Sequence, residues 1–171
     1  MTGKTYSPIF REIPFESPVS VYEKLRTKES FLFESVKGPE NIAGYSFIGI
    51  EPYLVLRVKE GNVEIDFGCR KTLSNKNPLQ RLRELFEGYS QIPVDFLPPF
   101  QGGAAGMLGY DFVQYIEKLP KNSIDDLNIP DAHFFMIDRL IAFDHKKNKC
   151  WIIVCPAVRS SVLGYSELNR K

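Results

Sequence analysis

An α+β fold with largely antiparallel sheet is the architecture this sequence predicts. Three observations carry that expectation. Two amphipathic stretches open with helix-starting residues, and two pairs of apolar runs are joined by short polar turns. The order of these blocks is helix, strands, helix, strands, without the regular strand–helix alternation of a doubly wound parallel fold.

The first helix is expected from Ser17, a capping residue type, and Pro18, whose fixed φ suits the first helical turn. Val21, Tyr22 and Leu25 follow on one stripe. The second has Asn77 as cap and Pro78 next, then Leu79, Leu82, Leu85 and Phe86 facing one way, with Gly88 just past the end. Both stripes require a flat apolar partner.

Strands supply that partner. Leu54, Leu56 and Val58 alternate with Tyr53, Val55 and Arg57, and after the turn Lys59-Glu60-Gly61-Asn62 the residues Val63, Ile65 and Phe67 alternate with Asn62, Glu64 and Asp66. This is a hairpin with one wet face. Phe134 to Phe143 is apolar on both faces apart from Asp138 and Arg139, and returns as Trp151 to Val154 after a lysine-rich turn. A two-sided apolar strand belongs in a sheet interior. Between the blocks, Pro93, Pro98 and Pro99 precede Gly102, Gly103, Gly106 and Gly109, which reads as loop leading into a tight strand.

Composition narrows the function classes. A chain of 171 residues fits one ordinary domain, and no run approaches the roughly 20 apolar residues of a membrane span. No secretory signal is expected behind Lys4, so the expected compartment is the cytoplasm. Lys and Arg number 22 against 21 Asp and Glu, which leaves no broad attraction for a phosphate backbone and argues against a nucleic-acid partner. Lys146, Lys147 and Lys149 read as the solvated turn of a hairpin. Cys69, Cys150 and Cys155 form no C-x-x-C pair, and His133 and His145 lie far apart, so no metal or Cys/His nucleophile is expected.

The glycine segment invites a phosphate-loop reading, but it lacks both G-x-G-x-x-G and a Gly-Lys-Ser/Thr ending. Close backbone packing or positive φ is the better physical role. More unusual is Phe31-Leu32-Phe33-Glu34-Ser35, a strand-like run ending in a carboxylate and a hydroxyl, followed by Gly44-Tyr45-Ser46-Phe47-Ile48-Gly49. If the two runs are neighbouring strands, Glu34 suits an ammonium, Ser35 a carboxylate or carbonyl, and Tyr45 and Phe47 an aromatic ring. By residue type alone, ordinary strand-end polar groups explain the same cluster.

Phe31-Leu32-Phe33-Glu34-Ser35-Val36, then Gly44 to Gly49 with Glu51-Pro52, resembles the "LLES…RYSFIG…P" signature of anthranilate synthase component I. Leu97 to Gly106, with Gly109-Tyr110-Asp111 and Glu117, resembles that family's "PPFxGGxxGxxGYDxxxxxE" segment, and Asp138 to His145 is similar to its "D-x-x-x-x-F-D-H" stretch. These ordered motifs cover roughly residues 8 to 155. Phe33 stands where the family has leucine and Gly44 where it often has arginine, which alters pocket volume and donor count.

The resemblance implies that residues 1–155 are an N-terminal regulatory domain and 156–171 a tail, unstructured without its partner, leading into a missing chorismate-binding domain. It implies a binding site for the feedback inhibitor L-tryptophan, with Glu34 and Ser35 as contacts and Leu32, Phe33, Tyr45, Ser46 and Phe47 as neighbours. It places chorismate and Mg²⁺ in the missing domain, so this chain carries no catalytic residue, binds no cofactor and is inactive alone. The full enzyme is a lyase making anthranilate and pyruvate, with ammonia from a glutamine amidotransferase subunit. Two alternatives remain: the related component I of aminodeoxychorismate synthase, and a free-standing amino-acid-binding regulatory module.

Overall fold

The computed structural model describes residues 6–35, 44–87, 91–118 and 125–156. Among the described residues it is α+β, with two antiparallel five-stranded sheets and few helices. The chain divides into two compact units, Met1–Pro52 with Tyr89–Gly103 and Ile137–Lys171, and Tyr53–Gly88 with Ala104–Met136. Expectations for Val36, Gly88 and the tail beyond Pro156 lie outside the described residues.

The first unit holds β1 (Ile9–Ile13), β2 (Ser30–Glu34), β3 (Tyr45–Ile50), β9 (Arg139–Asp144) and β10 (Lys149–Val154), in the order β1-β10-β9-β3-β2. Alternation puts Ile48, Ile141, Phe143 and Cys150 on one face, where Val21 and Tyr22 of α1 (Pro18–Leu25) pack with Ile13, Phe15 and Leu32. Pro18 does open α1 and Ser17 holds the cap position, but the Ser17 side chain makes no capping hydrogen bond. Leu25, read as the third stripe residue, is 39% exposed, because the helix ends there and gives it no turn to lean on. The lysine turn between β9 and β10 matches its expectation, with Asn148 at φ 51° and the Lys147 amide donating to the Asp144 carboxylate at 3.0 Å.

The second unit orders its strands β6 (Lys71–Ser74), β5 (Asn62–Asp66), β4 (Leu54–Lys59), β8 (Ala132–Ile137) and β7 (Gly103–Leu108). Glu60 and Gly61 both have positive φ, as a two-residue hairpin turn requires. One face is apolar: Leu54, Leu56, Val58, Val63 and Ile65 are fully or almost fully buried. The other carries Arg57, paired with Glu64 at 3.1 Å, and Lys71, paired with Asp66 at 3.2 Å. Helix α2 (Pro78–Glu87) follows its expectation at the N-terminus, where the Asn77 side-chain oxygen accepts from the Leu79 and Gln80 amides at 2.9 and 3.2 Å. Leu82 and Leu85 are buried, while Phe86 stays 42% exposed and touches the Phe134 ring edge-on.

The run Phe134 to Phe143 is not a single interior strand; it breaks at Asp138 into β8 and β9, which belong to different sheets. The Asp138 carbonyl accepts from the Cys155 amide at 2.7 Å and its side chain is buried, so the two polar residues interrupting the run mark a bend. Strands β1 and β6, which no periodicity announced, are mostly exposed edge strands. An edge strand with water on both sides is under no pressure to alternate.

The β4–β5 turn is pinned from below. Asp131, buried at the start of β8, accepts from the Tyr115 hydroxyl and from the Glu60 amide at 3.0 Å, and the Gly61 amide donates to the Tyr115 oxygen at 2.7 Å. Burial, then the bond to Asp131, pushes the Tyr115 phenol up from 10.0 to about 12. Below pH 10 this contribution to stability is complete. Between 10 and about 12 the unfolded chain gives up the proton while the folded chain keeps it, so stability falls as pH rises. Urea unfolding at pH 8 and pH 11 is expected to show a smaller alkaline loss in Tyr115→Phe than in wild type. Equal losses would rule out Tyr115 as the source, and the buried Cys150 thiol, also raised to about 12, is common to both proteins.

Candidate functional site

The two runs singled out by residue type are neighbouring antiparallel strands. Register pairs Phe33 with Phe47, Glu34 with Ser46 and Leu32 with Ile48, and beyond the last pair the Ser35 amide donates to the Tyr45 carbonyl at 3.0 Å. The Gly44 amide then donates to the Ser35 carbonyl at 3.1 Å, with Gly44 at φ 125° and the Lys146 stem lying against it. Its left-handed conformation favours glycine here, where the family often has arginine.

Pairing decides which side chains share a face. Ser35, Phe33, Tyr45 and Phe47 project to one side. Leu32, Glu34 and Ser46 project to the other, toward α1. The seven candidate residues therefore split between two faces, and Glu34 and Ser35, adjacent in sequence, point in opposite directions.

The Ser35 face is aromatic. Phe31 and Phe33 rings lie 4.5 Å apart, Tyr45 and Phe47 stack at 6.2 Å, and Phe100 meets Phe47 edge-on at 5.7 Å. Phe31 is buried because its ring covers Gly49, where any Cβ would collide with it. Phe33 lies on that buried ring and is 47% exposed, which makes it the accessible wall of the cluster. Phe100 is delivered by the proline segment, which Gln101 clamps: its side-chain amide donates to the Val94 and Pro98 carbonyls at 2.9 and 3.2 Å and its oxygen accepts from the Val94 amide at 2.9 Å.

The opposite face holds a residue that sequence reasoning left unassigned. His145 Nε2 lies 2.7 Å from the Ser46 hydroxyl, which is completely buried, and Phe15 packs edge-on against the imidazole at 5.8 Å. Its only sequence signal was its place at the end of the Asp138–His145 motif.

Position in the sheet reconciles the two faces. β2 is the outermost strand, and since Ser35 directs both its backbone groups at β3, the amide and carbonyl of Glu34 point away from β3, to the outer edge. The Glu34 and Ser35 side chains therefore leave this strand on opposite faces, with the Glu34 peptide groups between them. The glycine segment has a different part. Gly106 lies against the backbone of His133 and Phe134, the close approach expected of it, and Tyr110 is 90% exposed. Among the described residues no group of three His, Cys, Asp or Glu side chains converges as a metal ligand set, and no helix is long and apolar enough to cross a membrane.

No family model matches the chain. Among curated proteins, anthranilate synthase component 1 of Acetivibrio thermocellus is 32% identical over 157 residues, which cover 86% of this chain and 31% of that protein. Aminodeoxychorismate synthase component 1 of Bacillus subtilis is 33% identical over 150 residues, 85% of this chain and 31% of that one. The crystal structure of anthranilate synthase component I from Streptococcus pneumoniae superposes with a TM-score of 0.59 at 25% identity, over 90% of this chain and 32% of that one. The chain is related to the N-terminal part of anthranilate synthase component I. It spans about a third of the length of the curated relatives it matches. The anthranilate synthase component I relationship accounts for the two-sheet α+β architecture, and aminodeoxychorismate synthase component 1 belongs among the same relatives.

Proposed function

We propose that this chain is the N-terminal, feedback-regulatory part of an anthranilate synthase component I, and that the outer edge of β2 is its L-tryptophan site. The observation that carries this reading is the edge itself: Glu34, Ser35 and the outward-pointing Glu34 peptide groups adjoin the aromatic surface of Phe33, Tyr45 and Phe47. A free aromatic amino acid carries an ammonium, a carboxylate and a flat ring, and each has a counterpart there. Leu32 and Ser46 support the strand from behind. In this reading chorismate, Mg²⁺ and the residues that expel pyruvate belong to the chorismate-binding domain of the complete protein, a glutamine amidotransferase subunit supplies ammonia, and this chain alone is catalytically inactive and cytoplasmic.

Feedback requires that the ligand bind one domain arrangement better than another. A site on a sheet edge suits that requirement, because a second body closing over the edge completes it. Isothermal calorimetry of the 171-residue chain with L-tryptophan is therefore expected to show weak binding, and Ser35→Ala or Glu34→Gln in the complete enzyme is expected to raise the tryptophan concentration for half inhibition about tenfold or more, the loss of one charge-assisted hydrogen bond. Undiminished inhibition in both variants would remove the edge as the site. The relationship to aminodeoxychorismate synthase component 1 favours a second reading, in which the complete protein makes aminodeoxychorismate. Product analysis decides between them, since only the anthranilate reaction releases pyruvate.

A further inference from the structure

Gly49 lies on β3 directly across from Phe31 of β2. It is buried and lacks the positive φ of Gly44, so glycine is required here for space rather than for backbone freedom. The Phe31 ring fills that space. A Cβ at Gly49 would stand 2.3 Å from Phe31 Cε1 and 2.6 Å from its Cζ, with the Ile137 Cδ1 methyl next at 3.1 Å. Phe31 therefore reaches across the ladder and seats its ring on its own register partner.

Phe33 is the next residue on that face, and two positions along a strand are separated by roughly 6.6 Å. The two ring centroids are 4.5 Å apart, with the planes tilted by 32°. Phe31 is held over Gly49 and is 7% exposed, whereas Phe33 is 47% exposed. The closer approach is therefore made by the Phe33 ring, which leans back along β2 onto Phe31 and away from Ser35. We propose that Gly49 and Phe31 are positioning residues for the aromatic wall of this face: the seat that Gly49 gives the Phe31 ring keeps Phe33 drawn back, and the width left for a ligand ring between Phe33 and Ser35 depends on it.

The ligand half of this inference rests on the reading of this face as part of an L-tryptophan site; the coupling of Phe33 to Gly49 does not. Neither Phe31 nor Gly49 is among the seven residues that the resemblance implies as contacts. A leucine in place of Phe33, as in the family signature, has no ring to lay on Phe31, so the arrangement belongs to this chain.

Nuclear Overhauser spectra of the 171-residue chain with labelled phenylalanine rings test the geometry without ligand. Wild type is expected to show contacts between the Phe31 and Phe33 ring protons, and Gly49→Ala to lose them and gain contacts from Phe33 to the Ser35 methylene. Unchanged contacts in Gly49→Ala overturn the coupling. Inhibition of the complete enzyme by L-tryptophan, each variant read against its own uninhibited rate, tests the consequence. The concentration for half inhibition should rise about three- to tenfold in Gly49→Ala and in Phe31→Leu, the range that one aromatic contact spans. Leucine lacks the Cε1 and Cζ atoms that a Cβ at Gly49 meets, so adding Gly49→Ala to Phe31→Leu should raise it no further. A further rise would mean that Gly49 acts through Ile137 or the strand itself, and overturns the proposal. Unaltered inhibition in Phe31→Leu also overturns it, and that variant decides should Gly49→Ala not fold. Wild-type enzyme indifferent to L-tryptophan sinks the ligand reading, while the ring contacts still decide the coupling.

Discussion

Gly106→Ala is expected to destabilise the second unit by more than about 3 kcal/mol. The cause is backbone, not side chain. A Cβ at Gly106 would fall inside the His133 carbonyl oxygen and stand 2.7 Å from the Phe134 Cα, so β7 and β8 would have to separate. A flexible side chain could swing aside; a paired strand cannot without losing its ladder. Gly109→Ala is the control, since a Cβ there meets its nearest atom, the Asp131 carbonyl oxygen, only at 3.3 Å, and a cost below about 1 kcal/mol is expected. Urea unfolding followed by far-UV circular dichroism, with amide exchange across β7 and β8, measures both. A Gly106→Ala protein within about 0.5 kcal/mol of wild type would mean that the two strands are not packed this closely.

Phe143→Ala is expected to cost about 3–5 kcal/mol in the first unit. Phe143 is fully buried on β9, a strand paired on both sides, with Ile48, Ile141 and Cys150 around it and the Phe15 ring edge-on at 5.9 Å. Removing the ring leaves a cavity that two flanking strands hold open. The single tryptophan, Trp151, is buried on β10 beside β9, so its fluorescence reports unfolding of this unit. The midpoint of that transition should shift strongly to lower urea with little change in slope. A midpoint near that of wild type would remove Phe143 from the core.

Local features were legible before any fold was known. Asn77-Pro78 starts α2 because a side-chain oxygen and a missing N–H solve the same problem of orphaned amides. Glu60-Gly61 and Asn148 turn their hairpins because those positions need positive φ. The glycine segment suits close backbone packing or positive φ, and only the structure assigns the first to Gly106, against His133 and Phe134, and the second to Gly102 and Gly103. The stripe on α1 was read one residue too long, because periodicity does not show where a helix runs out of neighbours.

The sequence by itself determined the class of fold, the α2 boundaries near its cap, the β4–β5 and β9–β10 hairpins, and the pairing partners that a short turn enforces. Those are contacts between residues near in the chain, where steric and hydrogen-bonding rules act directly. Only the tertiary structure decided that the apolar run through Asp138 serves two sheets, that Glu34 and Ser35 lie on an edge strand, and that Ser46 meets His145. Alternation shows that a strand has two faces but carries no record of which distant strand lies beside it. That choice is made by burial of whole faces at once, and the candidate site depends on it.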